Sequence, residues 1–174
     1  MRTGKSTSAA HLKSKYGLNK VIEESFAAKL KDIVKDLYKL TEEHVEGSLK
    51  NTPVEYCDGM TPREILQKVG VYHREINPNV WVDSVFNRIV SLENKLIIIT
   101  DCRFPNEAER IKKEGGILIR IDRINREGVL NENHISDVAL NDYKSWDFII
   151  DNNSSFENLY GQLDNIMTVL GYLN

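Results

Sequence analysis

The run Leu96-Ile97-Ile98-Ile99-Thr100, closed by Asp101, is the longest apolar, β-branched run in the chain. A short run of this kind reads as a strand buried on both faces, as at the centre of a parallel sheet. Two other runs share its length and its acidic ending: Gly116-Ile117-Leu118-Ile119-Arg120-Ile121-Asp122 and Asp147-Phe148-Ile149-Ile150-Asp151. Val21 to Ser25 is a weaker fourth candidate.

Between these runs the apolar period becomes that of a helix. Phe26, Leu30, Ile33, Val34 and Leu37 recur on one side, with Lys29, Lys31, Asp32, Lys35 and Asp36 on the other. Thr61-Pro62-Arg63-Glu64 is a capping box with proline at the first helical position, and Gly70 is placed to end a short helix there. Pro78 opens a segment striped with Trp81, Val82, Val85, Phe86 and Ile89, and Pro105 opens one that Gly115 ends. Ser154-Ser155-Phe156-Glu157 is a second capping box, leading an apolar side of Phe156, Leu159, Leu163, Ile166, Met167 and Leu170. Strands alternating with helices predict an α/β layered domain with parallel strands. No repeat or linker breaks the pattern, so residues 1–174 read as a single domain.

Composition narrows the function classes. Hydrophobic residues are 41% and charged residues 28% of the 174, enough to bury a core and unlike a disordered tail. A net charge of -3 lacks the basic excess expected of a protein that tracks a nucleic-acid polymer. Cys57 and Cys102 supply neither a disulfide framework nor a zinc set, which points to a reducing cytoplasm. No apolar run approaches the roughly 20 residues that span a bilayer, and the start is polar rather than signal-like, so secretion and membrane insertion are not expected.

Gly4-Lys5-Ser6-Thr7 is the first motif with chemistry in it. It resembles the second half of a P-loop, GxxxxGK[ST], whose backbone amides wrap phosphates while its lysine reaches the β and γ oxygens and its hydroxyl holds magnesium. The first glycine of that pattern, and the strand that feeds it, would precede Met1, so a truncated chain lacking its first strand is the expectation. The tetrapeptide also reads as a polar start without a role. The second motif is Asp101-Cys102-Arg103, which follows the longest apolar run, where ligands of open α/β sheets bind. There Asp101 can hold a magnesium-bound water and Arg103 can grip a phosphate with both arms of its fork. Alone, the pair reads first as a turn cap and a surface charge; beside Gly4-Lys5-Ser6 the functional reading leads.

Four stretches in this order resemble bacteriophage deoxynucleoside monophosphate kinases: Ser25 to Lys31, Thr61 to Gly70, Asn79 to Asp83, and Thr100-Asp101-Cys102-Arg103-Phe104-Pro105-Asn106-Glu107-Ala108-Glu109. The likeness runs from Gly4 to about Asn153. It implies a P-loop kinase-like three-layer α/β domain with a mainly parallel sheet, and transfer of the γ-phosphoryl group of ATP to a deoxynucleoside 5′-monophosphate. ATP is the implied co-substrate and Mg²⁺ the implied ion, with Ser6 and Asp101 as its ligands. Gly4, Lys5, Ser6 and Thr7 would cradle the donor phosphates. Arg103 and Arg63 would hold the acceptor phosphate, Trp81 would stack on its base, and Arg74 would line the same pocket, in a loop with Tyr72, His73 and Glu75. Arg123 and Arg126 would belong to a lid over about residues 120–140, near Arg120 and the Asn133-His134-Ile135-Ser136-Asp137 segment. Asn152 lies where related kinases pass backbone beside adenine. His11, His44 and His73 read as solvated. The resemblance further implies a deoxynucleotide partner, a homodimer, and the cytoplasm of a bacterial host. A dephospho-CoA kinase and a nucleotide-binding module without turnover stay open as alternatives.

Overall fold

The computed structural model describes residues 3–124 and 134–172. The chain is α/β, and it divides into two compact units: Met1–Glu23 with Asn94–Asn174, and Glu24–Glu93.

The first unit carries the strands. Helix α1 (Lys5–Tyr16) is followed by β1 (Val21–Glu24), which pairs with β2 (Leu96–Ile99). Helix α6 (Pro105–Lys113) leads to β3 (Ile119–Asp122), and a short α7 (Ile135–Val138) precedes β4 (Phe148–Asp151) and α8 (Phe156–Val169). β3 and β4 are parallel, with Ile119 opposite Phe148 and Asp122 opposite Asp151. The expected sheet is thus realised as two strand pairs, β1 with β2 and β3 with β4. All four residues of β2 are half-buried rather than buried on both faces, as expected of a strand with one hydrogen-bonded neighbour.

Ile150 on β4 packs against Leu159, Leu163 and Ile166 of α8, and this cluster is the core of the unit. A Leu or Ile buried so fully contributes roughly 1.5–3 kcal/mol over leaving it in water. The N-cap of α8 is Ser155, whose hydroxyl accepts from Asn158 N at 3.3 Å, one residue later than the Ser154 box predicted. Phe156, assigned to the apolar side, is 62% exposed and stacks on Tyr160 at 6.3 Å instead. α1 is tied to α8 by His11, read from sequence as solvated: its Nε2 donates to Asp164 Oδ1 at 2.9 Å while its ring lies 4.1 Å from that of Tyr160. Lys15 reaches the other oxygen of Asp164 at 2.7 Å.

The second unit is helical: α2 (Ala28–Tyr38), α3 (Glu42–Val45), 3₁₀ turns Ser48–Asn51 and Glu55–Cys57, α4 (Pro62–Ile76) and α5 (Val80–Ile89). Val34, Val45, Ile65 and Leu66 are at its centre, but Leu37 of the predicted stripe is 68% exposed. His44 completes the capping box of Thr41 at the start of α3. The Thr61 box opens α4 as expected, with Glu64 accepting from Thr61 N at 2.8 Å. Gly70 does not end α4, which runs 15 residues and takes Tyr72, His73, Arg74 and Glu75 into its last turns. The glycine is there for closeness: a Cβ at this site would sit 3.1 Å from Leu30 Cδ2, so its absence lets α4 approach α2. α5 begins two residues after Pro78, with Asn79 as its N-cap.

Candidate active site

In the first unit the chain enters α1 through Gly4, whose φ of 107° and ψ of 1° lie in the left-handed region that favours glycine. A side chain there meets a second obstacle, since a Cβ would stand 2.5 Å from Asn152 Nδ2. The preceding residue, Thr3, is buried, and its carbonyl accepts from Asn152 Nδ2 at 2.8 Å. Lys5 Nζ donates to Thr3 Oγ1 at 3.0 Å. Ser8 N closes the first helical bond on Gly4 O at 2.8 Å, so the amides just before Ser8 have no partner within the helix. No acidic residue lies in this first turn, while Lys5 and Ser6 are exposed. A helix start with a cation, a hydroxyl and no acid in its first turn has the chemistry to receive an anion.

The turn after β2 is the second component. Asp101, Cys102 and Arg103 are half-buried there, and Glu107, 1% exposed, fixes them from α6. Its Oε2 accepts from Arg103 N at 2.7 Å and from Phe104 N at 3.1 Å. Sequence reasoning missed Glu107, although Pro105 at the first helical position puts it where a capping-box acid belongs. Arg103 extends toward α7, with Nη1 3.5 Å from Ser136 O. Burial, and then the nearby Glu107 and Asp101, push the Cys102 thiol far up, which removes it as a nucleophile.

Asp122 ends β3 and Asn152 directly follows β4, and Asn152 N donates to Asp122 O at 2.8 Å. The buried side chain of Asn152, where backbone beside a base is the expectation, also holds the turn before α1. Arg123 is exposed just past β3, and Arg120 pairs with Asp122 at 2.6 Å. Arg126 and most of the expected lid lie outside the described residues. His134 caps α7, its Nδ1 accepting from Ser136 N at 3.2 Å.

The other expected residues belong to the second unit. Arg63, the second residue of α4, donates from Nε to Asn51 Oδ1 at 2.8 Å. Arg74 is eleven residues further along the same helix, which at 1.5 Å per residue separates the two by about 16 Å along the axis. Trp81 is 2% exposed, with Nε1 donating to Gly70 O at 3.2 Å and its ring 5.3 Å from that of His73. It is a buried wall in this structure. His73, expected in a solvated loop, donates from Nδ1 to Val69 O at 2.9 Å within α4.

Among the described residues no group of three or more His, Cys, Asp and Glu is arranged to hold a metal ion. Magnesium takes few protein ligands and keeps waters and phosphate oxygens, and the hydroxyl of Ser6 and the carboxylate of Asp101 are oxygen donors of the right kind.

A helix start built for anions, in an α/β chain with arginines in the turns after its strands, is the equipment of a nucleotide kinase. The family model described as deoxynucleotide monophosphate kinase matches residues 50–163, which include Arg63, Trp81, Arg103 and Asn152. A protein of Acanthamoeba polyphaga mimivirus named "Putative deoxynucleotide monophosphate kinase" is 36% identical over 177 residues, covering 92% of this chain and 89% of its own. The chain belongs to the deoxynucleotide monophosphate kinase family.

Proposed function

We propose that the chain transfers the γ-phosphoryl group of ATP to the 5′-phosphate of a deoxynucleoside monophosphate, giving the diphosphate and ADP. The observation that carries this reading is the start of α1, where Gly4 is left-handed, Lys5 and Ser6 are exposed and no acid lies in the first turn. The acceptor oxygen is already part of an anionic phosphate near neutral pH, so no general base is required. Positioning and charge neutralisation do the work.

In this reading Lys5 leaves Thr3 Oγ1 for the β and γ oxygens of ATP, while the amides around Gly4 and Thr7 bind the same phosphates. Ser6 and Asp101 hold Mg²⁺. When bound, the ion neutralises charge on the donor phosphates and keeps them in line. Arg103, its backbone already fixed by Glu107, takes the acceptor phosphate through its planar fork. Arg63 is a second proposed contact for the acceptor phosphate, and Arg74, one turn along α4 from Gly70, is proposed to line the acceptor pocket. Arg123 and Arg126 neutralise charge on the transferring group.

ADP formation with a panel of acceptors tests the reading. ADP that accumulates with deoxynucleoside monophosphates, and not with dephospho-CoA or with no acceptor, is the expected result. ADP only with dephospho-CoA, or ATP binding without ADP from any acceptor, would overturn it.

A further inference from the structure

We infer that Asn152 is the positioning residue of the phosphate-binding turn, its side-chain amide setting the direction in which the backbone before α1 offers its N–H groups. The inference rests on the phosphoryl-transfer reading above and deepens it.

Asn152 is 7% exposed and is rooted at the ends of two strands, because it follows β4 directly and its own N–H donates to Asp122 O of β3 at 2.8 Å. From that base its Nδ2 reaches across 149 positions of sequence to the carbonyl of Thr3, at 2.8 Å. A trans peptide holds its C=O and the following N–H in opposite directions within one plane. Fixing the Thr3 carbonyl toward Asn152 therefore turns the Gly4 N–H away from Asn152. Gly4 and Asn152 are matched, since the left-handed glycine leaves the space that any Cβ would take, at 2.5 Å from Nδ2.

The chemistry of this contact requires an amide. Aspartate has nearly the same shape, but its ionised carboxylate has no proton for the Thr3 carbonyl and would bring negative charge beside a site for anions. A helix cap would not need this residue, because Ser155 performs that task for α8.

The test uses the full chain as Asn152→Asp and Asn152→Ala, with three readouts: amide hydrogen exchange over residues 4–8, the dissociation constant of ATP, and KM for a deoxynucleoside monophosphate. Faster exchange in that segment, ATP binding weaker by about tenfold or more, and an acceptor KM within about twofold of wild type are expected of both variants. Unchanged exchange over residues 4–8 would overturn the inference. So would ATP and acceptor constants that rise together with a lower melting temperature, the signature of general loosening. A wild-type chain that binds no ATP would sink the phosphoryl-transfer reading, while the exchange comparison would still decide what Asn152 does to the turn.

Discussion

Arg103 differs from an ordinary surface arginine in what holds its backbone. The Glu107 carboxyl, 1% exposed, accepts from both Arg103 N and Phe104 N, so the turn that presents the guanidinium is braced from beneath. Arg103→Ala leaves this brace intact and removes only the fork. It is expected to lower kcat/KM for the acceptor by about 10²–10³ while changing ATP affinity by less than about twofold, in steady-state kinetics paired with calorimetry. Acceptor kinetics like those of the wild type would take Arg103 out of the site. The place of Asp101 and Arg103 in the turn after β2 was legible in sequence, because the apolar run ends just before them. The inward orientation of Glu107 was not, since position in a capping box sets a local bond and only tertiary packing decides whether that bond is buried.

At the scale of elements, most of the helices and all four strands were legible from period and caps, and the misreadings have physical causes. Gly70 carries the local signal of a helix end, but close approach of α4 to α2 uses the same absence of a side chain. Phe156 falls on the apolar stripe of α8 by spacing, yet it lies in the first turn, beyond the reach of the Ile150 cluster, and remains exposed. Trp81 shows the reverse: its amphipathic ring suited a ligand wall or a core, and the bond from Nε1 to Gly70 O places it in the core.

The join between α6, β3 and β4 makes its own prediction. Asp147 accepts from Lys112 Nζ at 2.7 Å and from Leu118 N at 2.8 Å. The Lys112 bond first, then the Leu118 amide, hold its carboxyl below the usual aspartate range. A carboxyl that titrates lower in the folded state than in the unfolded one adds stability above the unfolded pKa of about 3.9, and that stability is lost as pH falls through the folded value. Urea unfolding at stepped pH is therefore expected to show an acid decline that is shallower in Asp147→Asn, whose stability near neutral pH is already reduced. Parallel declines in the two proteins would show that this carboxyl is not part of the acid response.

For the whole molecule, the charge balance and the site impose different demands. The net charge is -3 and both proposed substrates are polyanions, so attraction cannot come from the overall field and must come from local groups. Of the residues proposed to supply it, Lys5, Asp101, Arg103 and Asn152 belong to one compact unit and Arg63, Arg74 and Trp81 to the other. Sequence motifs nominated these candidates, because phosphate chemistry draws on few residue types. What the motifs could not supply was the support beneath: Glu107 under one turn and the Asn152 amide under another, both products of contacts that only the fold creates.

The most direct measurement follows the transferred group itself, using ATP labelled at its γ-phosphorus, magnesium and a set of deoxynucleoside monophosphates. The account predicts label in a deoxynucleoside diphosphate. Label that stays in ATP, or is found only in inorganic phosphate, would contradict it.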